Sequence, residues 1–507
     1  MKIALYLLAV CSLAHFSVLF ANESKAKLIV ENATIIPVDG TGEYLPIGYL
    51  VVGSTGKLLE IGSGEVPDDY EALKRIDARG KIIMPGFLSG HSHLYQSPFR
   101  GLGVHHTLLG WIYCYHMTYG PHYDPTDLYW FSKHGAMDYL GHGITTIYDW
   151  TLNGGYSVDR YLDLYRGSLD SGARILFGYG IDRERTLEEN RAMLTEYLEL
   201  IKKEGMDVSH PRVPAVWMSG LGLLNGEEMS TMEFTLAKEF DLPMQVHYLE
   251  EPEPVYTEIQ RGLFSVYEKT DMLGPNLNFA HFINVTDAIL KRTGETGTTM
   301  VWNPLSNGRL ASGLADIPHY KKFGIEIGMG IDGQASADVS DPFENMRMGM
   351  YATRMKYQDA SIMMPLDVLR MHTIGTARVL GVEDQVGSLE VGKYADFIII
   401  DPRSMETSPV INPIEHVVLA CSVANLESVY VGGEKVVERG AFLQVDHEET
   451  KSEVTMRLAR VQAKVEATRA AGEIEQGSVF PNLNQYQQKH FSEDHEHPMY
   501  GKPRKAE

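Results

Sequence analysis

Apolar and polar positions divide the 507-residue chain into three textures. Residues 26–84 alternate on a period of two, in short runs broken by glycine: AKLIVENATIIPV, YLVVGSTGKLLEIGSG and KRIDARGKIIMPG. Such runs predict strands with one buried face. The texture returns in GSLEVGKYADFIIID, HVVLACS and LESVYVGGEKVVERG. Between these segments, short continuous apolar runs alternate with stretches of helical period such as EENRAMLTEYLELIKKEG and EEMSTMEFTLAKEF. That is the βαβ rhythm of a parallel sheet. The strand candidates are KIIMPGFL, ITTIYDW, ARILFGYG, VPAVWMSG, PMQVHYL, LNFAHF, TTMVWN and EIGMGID. This set over this length fits a closed (β/α)₈ TIM barrel, typically about 250 residues. An open doubly wound sheet is disfavoured, because no glycine-rich phosphate loop follows the first strand.

The expected fold class is therefore α/β: a TIM barrel over residues 85–384 with a small β-sandwich built from both chain ends, 22–84 and 385–445. A charged helical extension and a polar tail occupy 446–507. Tail residues His490, His495 and His497 stand among prolines and charges, which argues for a surface arm or oligomer contact rather than a metal site. A homo-oligomer is the expected assembly. At the other end, Lys2 is followed by an apolar run from Ile3 to Phe20, then Ala21 and polar residues. That is the layout of a secretory signal over residues 1–21, and it predicts a secreted or periplasmic protein. An uncleaved anchor is the alternative reading.

Composition narrows the function classes. The net charge is −22, from 45 basic and 67 acidic side chains, so the surface repels phosphate backbones and anionic lipid headgroups. Nucleic acid is not an expected partner, nor is a membrane once the signal is removed. Hydrophobic residues at 44% suffice for a large core. The three cysteines, Cys11, Cys114 and Cys421, exclude a disulfide framework. A Cys114–Cys421 bridge and two buried thiols both remain open.

Chemistry concentrates at the strand ends. In GFLSGHSH, His91 and His93 are two apart, so both face one side of a strand, at the barrel face where such enzymes work. His247 ends the fifth strand candidate, with Glu250 three residues on and Glu251 as its substitute if the loop turns differently. His281 ends the sixth candidate. Asp332 ends the eighth, where a carboxylate after an apolar run needs a partner. The proposed ligands His91, His93, His247 and Asp332 come from strands one, five and eight, which meet only in a closed sheet. Three imidazoles and a carboxylate suit one divalent metal, Zn²⁺ first and Fe²⁺ or Mn²⁺ next.

The ordered set MPGFLSGHSH, GHGITTIYD, VHYLE, Ala280-His281, NPLSNGRLASG, GIDGQAS and GSLEVGKYADFIIID resembles the amidohydrolase superfamily, specifically its cytosine-deaminase-like and triazine-hydrolase-like branch. The resemblance covers residues 80–400. It implies a one-metal site, with Glu250, His281 and Asp332 as catalytic groups around an activated water. Asp332 would take the water's proton, His281 would orient the nucleophile, and Glu250 would carry a proton to the substrate. Two-metal relatives bridge their ions with a lysine on strand four, and VPAVWMSGLG has none. The sequence departs from the branch at Trp302, where histidine is usual, and at Gly90, where an acid or amide is usual.

Substrate clues are thinner. Trp111 lies in the aromatic loop PFRGLGVHHTLLGWIYCYHMTYG, where it could stack on a planar substrate or pack on the barrel. Arg100, Asn307 and Ser306 are candidate polar contacts, Trp302 a candidate aromatic wall, and His142 a structural residue. The expected function is metal-dependent hydrolysis of a C–N bond, by deamination or amide or urea cleavage, of a small planar substrate. Dechlorination, carbamate or lactam hydrolysis, or a catalytically dead barrel that binds ligand, are the alternatives.

Overall fold

The structure, a computed structural model, describes residues 25–151, 157–205, 215–222 and 226–472. The expected signal over 1–21, with Cys11, and the tail with His490, His495 and His497 lie outside the described residues.

In chain order the strands are β1 (Lys25–Ile35), β2 (Leu45–Val52), β3 (Leu58–Ser63), β4 (Glu71–Asp77), β5 (Ile82–Pro85), β6 (Phe87–Ser89) and β7 (Ser92–His93). Then come β8 (Ile144–Trp150), β9 (Arg174–Gly180), β10 (Ala215–Gly220), β11 (Met244–Tyr248), β12 (Leu277–His281), β13 (Thr299–Trp302), β14 (Ile327–Met329) and β15 (Asp332–Gly333). The last are β16 (Phe397–Ile400), β17 (Leu426–Val431), β18 (Glu434–Glu438) and β19 (Ala441–Phe442).

Strands β6 and β8 to β14 form one eight-stranded sheet in sequence order, and every pair in it is parallel. The ends of this sheet meet. Gly90 N–H donates to Met329 C=O at 2.9 Å, Asp332 N–H donates to His91 C=O at 3.0 Å, and β7 pairs with β15. The barrel therefore closes at the histidine and aspartate positions singled out above.

Helices cover the outside as the pattern requires. Leu187–Lys203 begins in a Thr186–Glu189 capping box and ends in Lys202 and Lys203, so both ends complement the helix dipole. Glu227–Glu239 is the other helix read from the sequence.

Both chain ends build the second unit, a nine-stranded mixed sheet. Strand β1 is its junction: its first half pairs parallel with β4, its last two residues pair with β5, and its other edge meets β2. The run KIIMPGFL is consequently two strands rather than one. β5 pairs with β1 and β16 in the terminal sheet, whereas β6 enters the barrel. The break falls at Gly86, where a Cβ would lie 2.3 Å from Thr145 Oγ1. Only glycine allows that approach. Cys114 and Cys421 are free thiols, which removes the bridged alternative.

The two units are tied by Arg174 at the start of β9, which is fully buried. Its Nε and Nη2 bond the Asp396 carboxylate at 2.5 and 2.8 Å, and Asp396 also accepts the Gly432 N–H at 2.7 Å. The guanidinium lies 4.1 Å from the Tyr394 ring centre. At the far end, the helix His447–Ala470 docks on the helix Asp127–Gly141. Arg457 reaches buried Asp127 at 3.1 Å, Arg460 reaches Asp124 at 3.0 Å, and Lys464 reaches Asp124 at 2.5 Å.

A buried pair holds its stability only while both charges are present. Asp396→Ala should therefore cost about 3–5 kcal/mol in urea unfolding, by stranding Arg174. The double substitution Arg174→Met with Asp396→Leu should cost markedly less. Equal losses in both proteins would remove the ion pair from this role.

Candidate metal centre

Strand alternation decides what faces the barrel axis. On β11, Gln245 and His247 point inward while Tyr248 packs outward against Phe279 and Tyr267. On β12 the same rule would send His281 outward with Phe279. Its φ of 71° breaks the alternation and turns the imidazole inward. Asp332 is also left-handed, with φ 71°. Each such residue costs of order 1–3 kcal/mol, and strain of this kind gathers at functional sites.

The result is one buried cluster. His93 Nε2 lies 3.2 Å from His247 Nε2 and 3.3 Å from Asp332 Oδ1, and His91 Nε2 lies 3.6 Å from the same carboxylate oxygen. His91, His93 and His247 form one candidate metal-holding group; His91, His281 and Asp332 form another. The hydrogen bonds behind the rings show which atoms carry lone pairs. His91 donates Nδ1–H to Gln245 Oε1 at 2.6 Å, and His93 donates Nδ1–H to Trp150 C=O at 2.9 Å. Both Nε2 atoms are left unprotonated and aimed at the others. Lone pairs meeting at such distances repel, and His91 Nε2 has no hydrogen-bond partner. A proton could bridge only one pair, whereas a cation satisfies all at once. Ligands bound tetrahedrally at Zn–N and Zn–O lengths stand about 3.3–3.4 Å apart, as these atoms nearly do. The residues present thus fit a divalent metal.

His281 differs from the ligands. The Asn307 and Asn303 amides donate to its Nδ1 at 2.9 and 3.3 Å, so its hydrogen sits on Nε2. That Nε2 lies 3.5 Å from Glu250 Oε2. A protonated nitrogen donates a hydrogen bond and cannot ligate.

Electrostatics follow from burial. Desolvation, with neighbouring imidazoles, holds His91 and His247 well below the usual histidine range, and burial lowers His281 to about 4. Burial alone would raise Asp332, but its close contact with His93 and the electrostatic effect of His281 and His91 hold it well below the usual range. Glu250 goes the other way: burial first, then the charges of Asp332 and Glu251, push it well above the usual carboxylate range. Burial raises Glu251 to about 7, and the Glu253 N–H bonds its carboxyl at 3.0 Å. Asp332 is further fixed by the Ser306 hydroxyl on Oδ2, the Gly333 N–H on Oδ1 at 2.8 Å, and the Tyr139 hydroxyl on its carbonyl.

The substrate candidates fare unevenly. Arg100 is a strut: it bonds Asp338 C=O at 3.1 Å, Ser97 C=O at 2.7 Å and Asp138 at 2.5 Å. Trp302 is fully buried and faces the outer helices, where a Cβ on Gly349 would come within 2.7 Å of its ring. Asn303 takes the inward place beside it. Asn307 holds His281. Trp111 donates to Ala335 C=O at 2.8 Å and lies 5.2 Å from His116, one layer behind the mouth. Burial and His93 lower His116 to about 3. His142 bonds Asp138 C=O at 2.7 Å, a structural contact. Sequence reasoning missed Gln245 and Asn303. Gln245 was within reach, since it stands two residues before His247 on one strand.

A family model described as the amidohydrolase family matches residues 82–436. A 5-methylthioadenosine/S-adenosylhomocysteine deaminase of Desulforudis audaxviator is 28% identical over 443 residues, covering 86% of this chain and 98% of that protein. Among solved structures, an adenosine deaminase from Xanthomonas campestris with bound zinc gives a TM-score of 0.76 at 20% identity, over 87% of this chain and 99% of that one. A zinc complex of atrazine chlorohydrolase from Arthrobacter aurescens gives 0.74 at 20% identity, over 85% and 99%. At that identity the structural likeness establishes the fold.

Purified protein should carry about one equivalent of divalent metal per chain. His247→Ala should reduce it to near zero by plasma mass spectrometry while circular dichroism stays native. Full metal occupancy in that variant would disprove the ligand assignment.

Proposed function

The chain belongs to the amidohydrolase family, and from that premise we propose that it hydrolytically deaminates a neutral, planar nitrogen heterocycle of the aminopurine kind. Hydrolysis of a non-peptide C–N bond is supported by the family and by the deaminase-named relatives. The observation that carries the finer reading is Glu250: a buried carboxyl 3.5 Å from His281 Nε2 at the metal centre, which burial first and then the Asp332 and Glu251 charges push well above the usual carboxylate range. Amidine-type carbons resist attack until the adjacent ring nitrogen gains a proton, and a neutral carboxylic acid supplies one.

A metal held by His91, His93, His247 and Asp332, with zinc the best match to that donor set, would supply Lewis acidity that makes water a nucleophile near neutral pH. The chain's own residues then divide the proton work. Asp332 accepts a proton from the attacking water. His281, its hydrogen fixed on Nε2 by Asn307 and Asn303, donates toward the incoming oxygen. Glu250 gives its proton to the ring nitrogen as the C–O bond forms and the C=N electrons move onto that nitrogen. The amine takes the proton held by Asp332 and leaves as ammonia, while the hydroxyl on that carbon gives its remaining proton to the Glu250 carboxylate, so the carbon becomes a carbonyl and both acids return to their starting state.

Charge supports a substrate without phosphate or carboxylate. Arg100 is tied as above, and Arg309 bonds Asp338 at 2.8 Å and the carbonyls of Gly103 and Leu102. Glu250 and Asp332 stand at the centre itself. A deaminase of this kind, with the Met1–Ala21 pattern at its start, would act outside the cytoplasm.

Metal-loaded protein should release ammonia from adenine-type nucleosides, with kcat/KM at least about tenfold higher than for the matching 5′-monophosphates. No ammonia from any aminopurine or aminopyrimidine would reject deamination. Glu250→Gln should keep its metal and lose about 10²–10⁴-fold in kcat. In the parent enzyme kcat/KM should fall as pH rises through the raised Glu250 value, because the acid is lost. Glutamine cannot titrate, so that alkaline limb should vanish in the variant. A limb that persists assigns it to another group.

A further inference from the structure

The lone pair that His91 offers depends on a side chain with no part in the proton steps. His91 Nδ1–H donates to Gln245 Oε1 at 2.6 Å. A primary amide looks alike at both ends, and rotating it by half a turn would present NH₂ to His91 instead. His91 would then have to accept at Nδ1, keep its hydrogen on Nε2, and cease to be a ligand. What fixes the rotation is on the other side. Gln245 Nε2 donates to Gly90 C=O at 2.8 Å and to Asn278 Oδ1 at 2.7 Å, two acceptors that an inverted amide would face with an oxygen. Asn278 is fixed in turn, because its Nδ2 donates to Thr299 Oγ1 at 3.0 Å.

The chain Thr299–Asn278–Gln245–His91 crosses β13, β12 and β11 to the first barrel strand. Register makes it: Gln245 stands opposite Asn278, and Asn278 opposite Thr299, in the parallel ladders. Gln245 and Asn278 are buried. Burying amides in a barrel interior is costly unless every bond is made. His93 needs no such device, since the Trp150 carbonyl that orients it cannot invert.

We propose that Gln245 is a positioning residue for the metal centre, and that the Asn278–Thr299 relay selects the His91 tautomer able to ligate. The inference rests on the metal reading above. Partners behind metal-bound histidines are typically worth about 10–100-fold in metal affinity.

The test is Zn²⁺ affinity by chelator competition for the full chain and its Gln245→Met and Gln245→Glu variants, with thermal unfolding of each metal-free protein. Gln245→Met should bind Zn²⁺ about 10–100-fold more weakly. Gln245→Glu keeps an oxygen opposite His91 Nδ1–H and should recover the affinity to within a few-fold of the parent, although it disturbs the Asn278 end of the relay. A residue that merely filled space would show the reverse order, or losses that follow thermal stability. Parent-like affinity in Gln245→Met, or a loss in Gln245→Glu as large as in Gln245→Met, overturns the proposal while leaving the metal centre intact. A parent that binds no Zn²⁺ overturns both. If Gln245→Met does not fold, Gln245→Asn withdraws the oxygen by one methylene, and the same two outcomes decide.

Discussion

Unprotonated ring nitrogens and a carboxylate oxygen face one another in a buried site, and that arrangement is unfavourable without a positive charge among them. His93 Nε2 stands within 3.3 Å of both His247 Nε2 and Asp332 Oδ1. Left to themselves these groups would take up protons or move apart. They are prevented from behind, by Gln245 and the Trp150 carbonyl on the imidazoles and by Ser306, Gly333 and Tyr139 on the aspartate. Barrel closure belongs to the same constraint. The β7–β15 ladder pairs the backbone at His93 with that at Gly333, next to Asp332, so the sheet's last seam is also the wall of the metal centre.

The loop between β7 and the helix Asp127–Gly141 covers this centre and is anchored at both ends of its span. Trp111 bonds Ala335 C=O just past Asp332, and Arg309 bonds the carbonyls of Leu102 and Gly103. Where the loop returns, Asp124 and Asp127 are clasped by Arg457, Arg460 and Lys464 of the helix His447–Ala470. Within this loop His116 stands against Tyr95, which packs on His93, and Trp111 lies behind His116.

Much of this was legible in the sequence, because period-two alternation and strand-end position are local properties. His91, His93 and His247 follow from alternation, and every barrel strand coincides with one of the apolar runs. Reading failed where the decisive contact is distant or the backbone departs from its period. Arg100 is spent on Asp138 and Asp338, which lie 38 and 238 positions away. Trp302 was read as an aromatic wall, but alternation on β13 turns it out to the helices and gives the inward place to Asn303. KIIMPGFL read as one strand because nothing apolar interrupts it; the split at Gly86 answers to Thr145 across the sheet. His281 was placed correctly at a strand end, although its inward direction depends on a left-handed φ that no pattern announces.

The central claim is a single cation shared by His91, His93, His247 and Asp332, with His281 outside its coordination. Anomalous X-ray diffraction from zinc-loaded crystals, on both sides of the zinc edge, tests it most directly. One peak is expected, about 2.0–2.2 Å from His91 Nε2, His93 Nε2, His247 Nε2 and an Asp332 carboxylate oxygen, with His281 Nε2 beyond bonding distance. Two peaks, no peak, or one peak with His281 bound in place of His91 would contradict it.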